Sequence, residues 1–594
     1  MNTDIENLFK DKVIGHPAGL FVLFFTEMWE RFSFYGMRIL LVLFLTAPFL
    51  GDNPGWEWPR EHALALIGTY ASLLYLTPIV GGWIADKITG YKWAVVIGCF
   101  IMMLGHASMV FETQFTLYLG LALLVIGTGF FKPNVTSMIS EMYKGKESKK
   151  DGAYTIFYMG VNAGAFFGMM LCGYLAENVG WSYGFGLAGI FMFLGMLQFW
   201  LAKDLFGNIG EKPSKIHEVE LPQNINEESV VVDKDLEAEE KPNPFTTIDK
   251  VLIVLSSIGG LLYLFNDPMS KIGNINLLDF KIGSMDGSNV IILLALAMFL
   301  FLIITRIGRY SRKVRDQIIA VSIFGIFTVF FFAAFEQSLG SMTIFARDYT
   351  SRALAGNSAF IFKIVDLILT VGPLAVITWV LYLLFKKTYS KIPYSNIVLA
   401  IAFLGLWGIV AWKMNREFSK DSTEVGASWF GILNSFFIII LAPFFSKWWE
   451  SKYNPSAAMK YGLGLILLGL GFGILAYGTT GIPAGAQTAS VSMIFLILAY
   501  FLHTMGELCL SPVGLSYLSK LVPGRMIGFM FGIWYLAIAI GQKAAGTMGG
   551  MIDKITAEYS LSTFFLIFTL VPIGVGLISV LLNPLLKRLM HGVR

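Results

Sequence analysis

Charge is scarce in this sequence. Aspartate, glutamate, lysine and arginine make up 14% of 594 residues, against 56% hydrophobic residues and a mean hydropathy of +0.67. So little charge cannot furnish a water-soluble surface for a chain of this length. Cysteine is scarcer still. Cys99, Cys172 and Cys509 each sit in an apolar run without a close partner, which argues against a disulfide framework and a thiolate metal site. No nucleophile–base pair, metal cluster or phosphate-cradling loop stands out, so neither catalysis nor a metal or organic cofactor is expected. The net charge of +4 is too small to suggest nucleic acid as a partner. No cleavable leader is expected either, since the polar tail MNTDIENLFKDK runs straight into an apolar segment.

What the chain does have is apolar runs of bilayer-spanning length, and many of them. They fall near 18–46, 61–84, 93–111, 117–138, 154–176 and 183–202, then 248–265 and 289–307. Eight more follow, near 317–345, 359–386, 394–412, 427–449, 459–477, 489–519, 527–550 and 561–586. The expectation is an all-α, polytopic membrane protein with sixteen spans, since backbone in hydrocarbon must satisfy its own hydrogen bonds. Residues 203–247 are rich in Glu and Asp, have no apolar period, and read as a flexible acidic linker. An even number of spans puts both termini on one side. The loops EMYKGKESKKDG (141–152), TRIGRYSRKVR (305–315) and FKKTYSK (385–391) and the tail LKRLMHGVR are dense in Lys and Arg. Most loops of the other parity hold almost none, the mixed-charge loop 412–424 being the exception. By the positive-inside rule both termini are cytoplasmic.

The first span raises a question of its own. Residues 24–38, FFTEMWERFSFYGMR, carry Glu27, Glu30, Arg31 and Arg38 inside an otherwise apolar stretch. Each charge at the centre of a lone membrane helix costs roughly 2.5–3.5 kcal/mol. Four are kept only where they face protein or a water-filled cavity and are paired there. At about 100° per residue Glu27, Arg31, Phe34 and Arg38 share one stripe, flanked by Glu30 and Tyr35. This helix should show lipid one face and a charged interior the other.

Several motifs fall on predicted helices in a fixed order. Glu27-Met-Trp-Glu30-Arg31-Phe-Ser-Phe-Tyr35-Gly36 resembles the ExxER(F)xYYG signature of proton-dependent oligopeptide transporters, the POT family of the major facilitator superfamily. GGWIADKITGYKW (81–93), with Gly81, Asp86, Lys87 and Gly90, resembles the superfamily's conformational loop motif between helices two and three. GTGFFKPNVTSMISEMY (127–143), with Lys132, and FYMGVNAG (157–164), with Asn162, are similar to the fourth- and fifth-helix signatures. FEQSLGS (335–341), WFGILNSFFIIILAP (429–443), GELCLSPVGLS (506–516) and GIWYLAIAIG (532–541) are similar to helices seven, eight, ten and eleven.

The resemblance implies two six-helix bundles around a central cavity: an N-terminal bundle over 1–202 and a C-terminal one over 311–594. Two additional helices would lie between them over 248–310. A further pair, at about 359–412, interrupts the C-terminal bundle, making about four additional helices; peripheral packing is the default expectation for that pair. The implied activity is proton-coupled import of di- and tripeptides across a bacterial inner membrane, by a chain working as a monomer in lipid, with protons as the coupling ion. Glu27, Glu30, Arg31, Lys132 and Glu336 would couple protons, with Lys132 paired to Glu336 when the outer side is closed. Arg31, Arg38 and Lys132 would hold the peptide carboxylate and Glu507 its ammonium. Asn162 and Asn434 would meet the amides, and Tyr35, Tyr75, Ser511 and Trp534 would line the side-chain pockets. Seven central ionisable groups comprise four carboxylates and three cations, and Lys543 is a candidate to balance the fourth acid. Phe34 stands where the family usually has Tyr, and Gly68 where eukaryotic relatives carry His. His503, one turn before Glu507, is expected to be a packing residue. The alternatives are a transporter of the same fold for nitrate or drug-like molecules, and a receptor that has lost transport. Glu507 has no use in binding nitrate, and no motif position expected to break in a receptor is broken.

Overall fold

The computed structural model describes residues 3–146, 149–212, 243–521 and 527–592, with side chains over the same ranges except 3–5, 511–520 and 527–529. Most of the expected acidic linker, residues 213–242, lies outside the described residues. Sixteen long helices are found among the described residues. They are α1 (Ala18–Thr46), α2 (Arg60–Ile84), α3 (Tyr91–Met109), α4 (Gln114–Met142), α5 (Lys150–Asn178) and α6 (Trp181–Ala202). Next come α7 (Thr247–Ile272), α8 (Gly287–Ile307), α9 (Arg312–Phe335), α10 (Gly356–Thr388) and α11 (Pro393–Phe418). The chain ends with α12 (Ile432–Glu450), α13 (Ala457–Gly478), α14 (Met493–Leu521), α15 (Ile527–Gly550) and α16 (Leu561–Leu581). Fourteen of these are long and apolar enough to cross a membrane. Of the other two, α1 carries four charges, and the side chains of α15 are described only from residue 530 onward. Sixteen passes bring both chain ends to one end of the molecule, the terminal end; the opposite end is the distal end.

Helices in lipid gain no hydrophobic advantage from meeting each other, so small residues that let backbones approach decide which faces pack. On α5, Gly160, Gly164 and Gly168 form such a stripe against α1. A Cβ at Gly164 would sit 2.2 Å from the Met28 carbonyl oxygen, and one at Gly168 2.1 Å from that of Phe32. The other side of α1 is held by α6, where Trp29 stacks on Phe191 at 4.9 Å. The charged stripe of α1 is thus left to face the interior. The same logic sets α2 against α4, since a Cβ at Gly81 would meet the Gly129 carbonyl oxygen at 2.0 Å.

Helices α1–α6 pack on one another, and α9 packs with α12–α16. The two sets meet chiefly at the distal end. There α2 crosses α15 so closely that a Cβ at Gly68 would come 2.9 Å from the Gly546 Cα. Arg60 pairs with Asp348 at 2.8 Å and Asp553 at 2.6 Å. Glu177 at the end of α5 accepts the backbone N–H groups of Ala427 (2.8 Å) and Ser428 (2.9 Å). The distal end is sealed. Helices α7 and α8 pair with each other, and α7 also lies on α2. Helices α10 and α11 lie against α1 and α6, away from the bundle that contains them in sequence.

If the α5 glycine stripe sets the α1–α5 distance, Gly168→Leu should destabilise the protein by more than the roughly 1–3 kcal/mol typical of an overpacked core. The expected outcome is a clear drop in the thermal unfolding midpoint in detergent, whereas Gly260→Leu, at an open position, should leave it unchanged.

Candidate functional site

The charged stripe of α1 divides into two sites with different partners. In the first, Arg31 Nε lies 2.8 Å from Glu27 Oε1 and 2.8 Å from Glu30 Oε2. Nε carries one hydrogen, and it is aligned on Glu27. Glu30 is fully buried, and neither of its oxygens receives an aligned donor. Two acids therefore crowd one nitrogen, and among the described residues no carboxylate accepts a hydrogen bond from the two terminal nitrogens of the guanidinium. In the second site, two helical turns beyond Arg31, Arg38 reaches across the bundles. Its Nη2 donates to Glu336 Oε2 at 2.7 Å and to Gln542 Oε1 at 2.9 Å, and Gln542 Nε2 donates to Glu336 Oε1 at 2.7 Å. This closed triangle joins α1, the tight turn Glu336–Leu339 that follows α9, and α15. Between the two guanidinium groups lies the Phe34 ring, 5.5 Å from Arg31 Cζ and 5.9 Å from Arg38 Cζ. A face offered to both cations is apolar yet electrostatically attractive, and Phe34 separates the two charge sites.

Lys132 on α4 does not pair with Glu336. Its ammonium rests over the Tyr75 ring, 4.3 Å from the centroid, because Glu336 is already engaged on both oxygens by Arg38 and Gln542. Lys543 does not balance the central acids either. It pairs with Asp267 of α7 and donates to Thr69 Oγ1 at 2.9 Å. On the C-terminal side, Glu507 Oε2 accepts from Asn434 Nδ2 at 2.8 Å, and the same Nδ2 lies 3.2 Å from Thr504 Oγ1. Among the described residues no cation pairs with Glu507, which is only half-buried. Asn162 donates to the Tyr158 carbonyl of its own helix at 3.0 Å. Tyr35 packs edge-on to Phe34 at 5.0 Å, and Tyr75 faces Tyr535 at 6.4 Å. Trp534 is buried in the core. The Ser511 side chain lies outside the described residues. His503 is turned away from the site, onto Phe472, at 4.4 Å.

At the end of α2 the loop motif continues as a π-helical turn, Ala85–Thr89. Asp86 accepts from the Tyr91 hydroxyl at 2.8 Å, and Lys87 is exposed. Gly90 has φ +74°, which favours glycine, and faces the backbone of Glu211 and Lys212. Gln542 was not singled out in the sequence. The available signal was a polar residue inside an apolar helix next to Lys543, a position that is costly in lipid unless bonded.

Opposed charges on two helical bundles, below a sealed distal end, are the arrangement of a membrane transporter. Comparison with known proteins gives the family. The profile of the POT family (PTR2) matches residues 92–230 and 403–566, and the chain belongs to that family, built on the major facilitator fold. It is similar to the peptide transporter YePEPT of Yersinia enterocolitica, with 29% identity covering 98% of this chain and 96% of that protein. A di-/tripeptide transporter of Lactococcus lactis subsp. cremoris is 28% identical, covering 99% and 100%. A solved peptide transporter POT in complex with sulfate is 26% identical, with a TM-score of 0.66 over 99% of this chain and 100% of that one.

Gln542 contributes two of the three hydrogen bonds of the triangle, and a hydrogen bond to a charged group is worth about 1.5–3 kcal/mol. Gln542→Ala should therefore loosen the distal seal. In protein carrying Ile67→Cys, beside Arg38 and Glu336 in the seal, a membrane-impermeant maleimide added from the distal side should react about tenfold faster. An unchanged labelling rate would mean that the other distal contacts, Arg60 with its two acids among them, hold the seal without the triangle.

Proposed function

We propose that this chain imports di- and tripeptides together with protons, by alternating exposure of one central site to the two sides of a bacterial inner membrane. The observation that carries this reading is Glu507, a carboxylate held by Asn434 and without a cation partner among the described residues, on the opposite bundle from Arg31 and Lys132. A peptide zwitterion supplies the missing charges, ammonium to Glu507 and carboxylate to the terminal nitrogens of Arg31 and to Lys132. Bridging the two bundles, it favours their approach, as alternating access requires. Relatives named as peptide and di-/tripeptide transporters support this substrate class. The lysine- and arginine-rich loops support a cytoplasmic terminal end. One chain contains the whole set of charged groups, so a monomer suffices.

Coupling follows from the crowding at Arg31. Glu30 has a buried carboxyl without an aligned donor among the described residues, and a proton there supplies a hydrogen bond of its own. Once one acid is neutral, the guanidinium is shared by one carboxylate instead of two and can turn to the peptide. Arg38, held by Glu336 and Gln542 while the distal end is sealed, becomes available only when that end opens. Each proton entering down 100 mV contributes about 2.3 kcal/mol, enough for roughly a fifty-fold peptide gradient.

Two outcomes are expected. Glu507→Gln should weaken uptake of dipeptides with free amino termini about 10–100-fold, from the loss of one charge-assisted hydrogen bond. N-acetylated dipeptides should change far less in the same proteoliposome assay, and equal losses for both would remove Glu507 from the ammonium site. Glu30→Gln, a permanent mimic of the protonated acid, should abolish gradient-driven accumulation while retaining peptide counterflow. Wild-type accumulation by this variant would place the coupling proton elsewhere.

A further inference from the structure

The α10–α11 hairpin is inserted between α9 and α12, so its covalent attachments belong to the C-terminal bundle. Its packing does not. Phe403 of α11 packs edge-on against Phe25 and Trp29 of α1, at 5.7 and 5.6 Å. At the terminal end, Ser395 donates to the Gln198 carbonyl of α6 at 2.8 Å, and Lys391 pairs with Asp11. Along α10, Thr370 contacts Met170 Sδ of α5 at 3.1 Å. At the distal end Tyr174 of α5 donates to Glu417 at 2.6 Å, and Arg416 donates to the Asn178 carbonyl at 3.2 Å. The hairpin is thus fastened to α1, α5 and α6 along its whole length.

Among the described residues its links to the C-terminal bundle are few and confined to the distal end. Residues 350–351 pair as a short parallel ladder with 491–492, ahead of α14. The two connecting segments pair with each other, 353–355 against 422–424. At the head of α12, Trp429 donates to Asp366 of α10 at 3.1 Å and packs on Phe362 at 5.2 Å. Asp366 already has a buried ion-pair partner in Lys413 at 2.6 Å, within the hairpin. Removing Trp429 therefore leaves no unpaired charge, and this contact is separable at small cost.

We infer that the α10–α11 hairpin moves as part of the N-terminal bundle, and that segments 349–355 and 419–431 form a second covalent crossing between the bundles, at the distal end. Opening that end has to draw Trp429 off Phe362 and Asp366 and pull Ala427 and Ser428 from Glu177, and the two segments then limit how far it opens. In a transporter whose bundles are joined only at the terminal end, no such stop exists. Relative motion of the bundles belongs to the transport cycle proposed above, and the inference rests on it.

Two measurements test this, one of which needs no peptide. In vesicles, spin labels at Ser419→Cys, Phe111→Cys and Tyr559→Cys, all exposed positions, report three distances: hairpin to N-terminal bundle, hairpin to C-terminal bundle, and bundle to bundle. Across a pH series the 419–111 distance should stay single and unchanged, while 419–559 should broaden or shift together with 111–559. A fixed 419–559 distance with a moving 419–111 distance overturns the inference, as does a 419–559 distance that stays fixed while 111–559 moves. In proteoliposomes a short bifunctional thiol reagent then joins Asn178→Cys to Arg416→Cys, or Phe362→Cys to Trp429→Cys. The 178–416 link should leave at least about half of the dipeptide uptake of the unlinked protein, and the 362–429 link less than about a tenth. The reverse order, loss in both, or retention in both overturns it. Absence of uptake by unlinked wild-type protein would instead count against peptide transport, and the distance series would still decide the hairpin.

Discussion

In hydrocarbon a charge has to be answered by the protein, and the organisation of this molecule follows from how each one is answered. Arg31 is answered twice, by Glu27 and Glu30 on its own helix. Arg38 is answered across the bundles by Glu336, with Gln542 closing the triangle. Among the described residues Glu507 is answered by an amide and by no cation. The sequence of over-matched, matched and unmatched groups is what gives the interior a use. An over-matched cation can release an acid to a proton, a matched pair can hold the bundles together, and an unmatched acid can receive a ligand's cation.

The additional helices obey the same rule and are tied in by it. Lys543 on α15 finds its acid on α7, which draws the first additional pair onto the seam between α2 and α15. Lys413 and Asp366 satisfy each other inside the α10–α11 hairpin. The hairpin can therefore lie against α1 and α6 through apolar and backbone contacts. Both pairs expose most of their remaining surface, which is apolar, as lipid requires.

Much of this was legible in the sequence because hydropathy and length are strong signals in membrane chains. Each of the sixteen expected runs coincides with a long helix among the described residues, with ends displaced by a few residues where polar side chains continue a helix, as at Gln114 and Glu141 of α4. The run expected at 317–345 proved to be α9, a tight turn at Glu336–Leu339 and a short helix, Ser341–Asp348. That break is what swings Glu336 toward Arg38. Pairing was much less legible. Lys132 is expected on Glu336 and rests on Tyr75 instead, and Lys543, a candidate to balance the central acids, pairs with Asp267, because periodicity gives the face of a helix but not its neighbour's depth. The hairpin's docking on the other bundle was equally hidden, since chain order says nothing about which surface an insertion covers.

The meeting of Gly68 and Gly546 has a consequence for the energy of cycling. Two bare backbones touch there, so no side chain has to be stripped of water when the seam shuts or rewetted when it parts. Such a contact is close in shape and weak in affinity, a hard stop more than an adhesive. The resistance to parting therefore falls on the polar triangle beside it and on Arg60 with its two acids. A seam made this way sets the distance of closest approach by geometry and leaves its timing to charge.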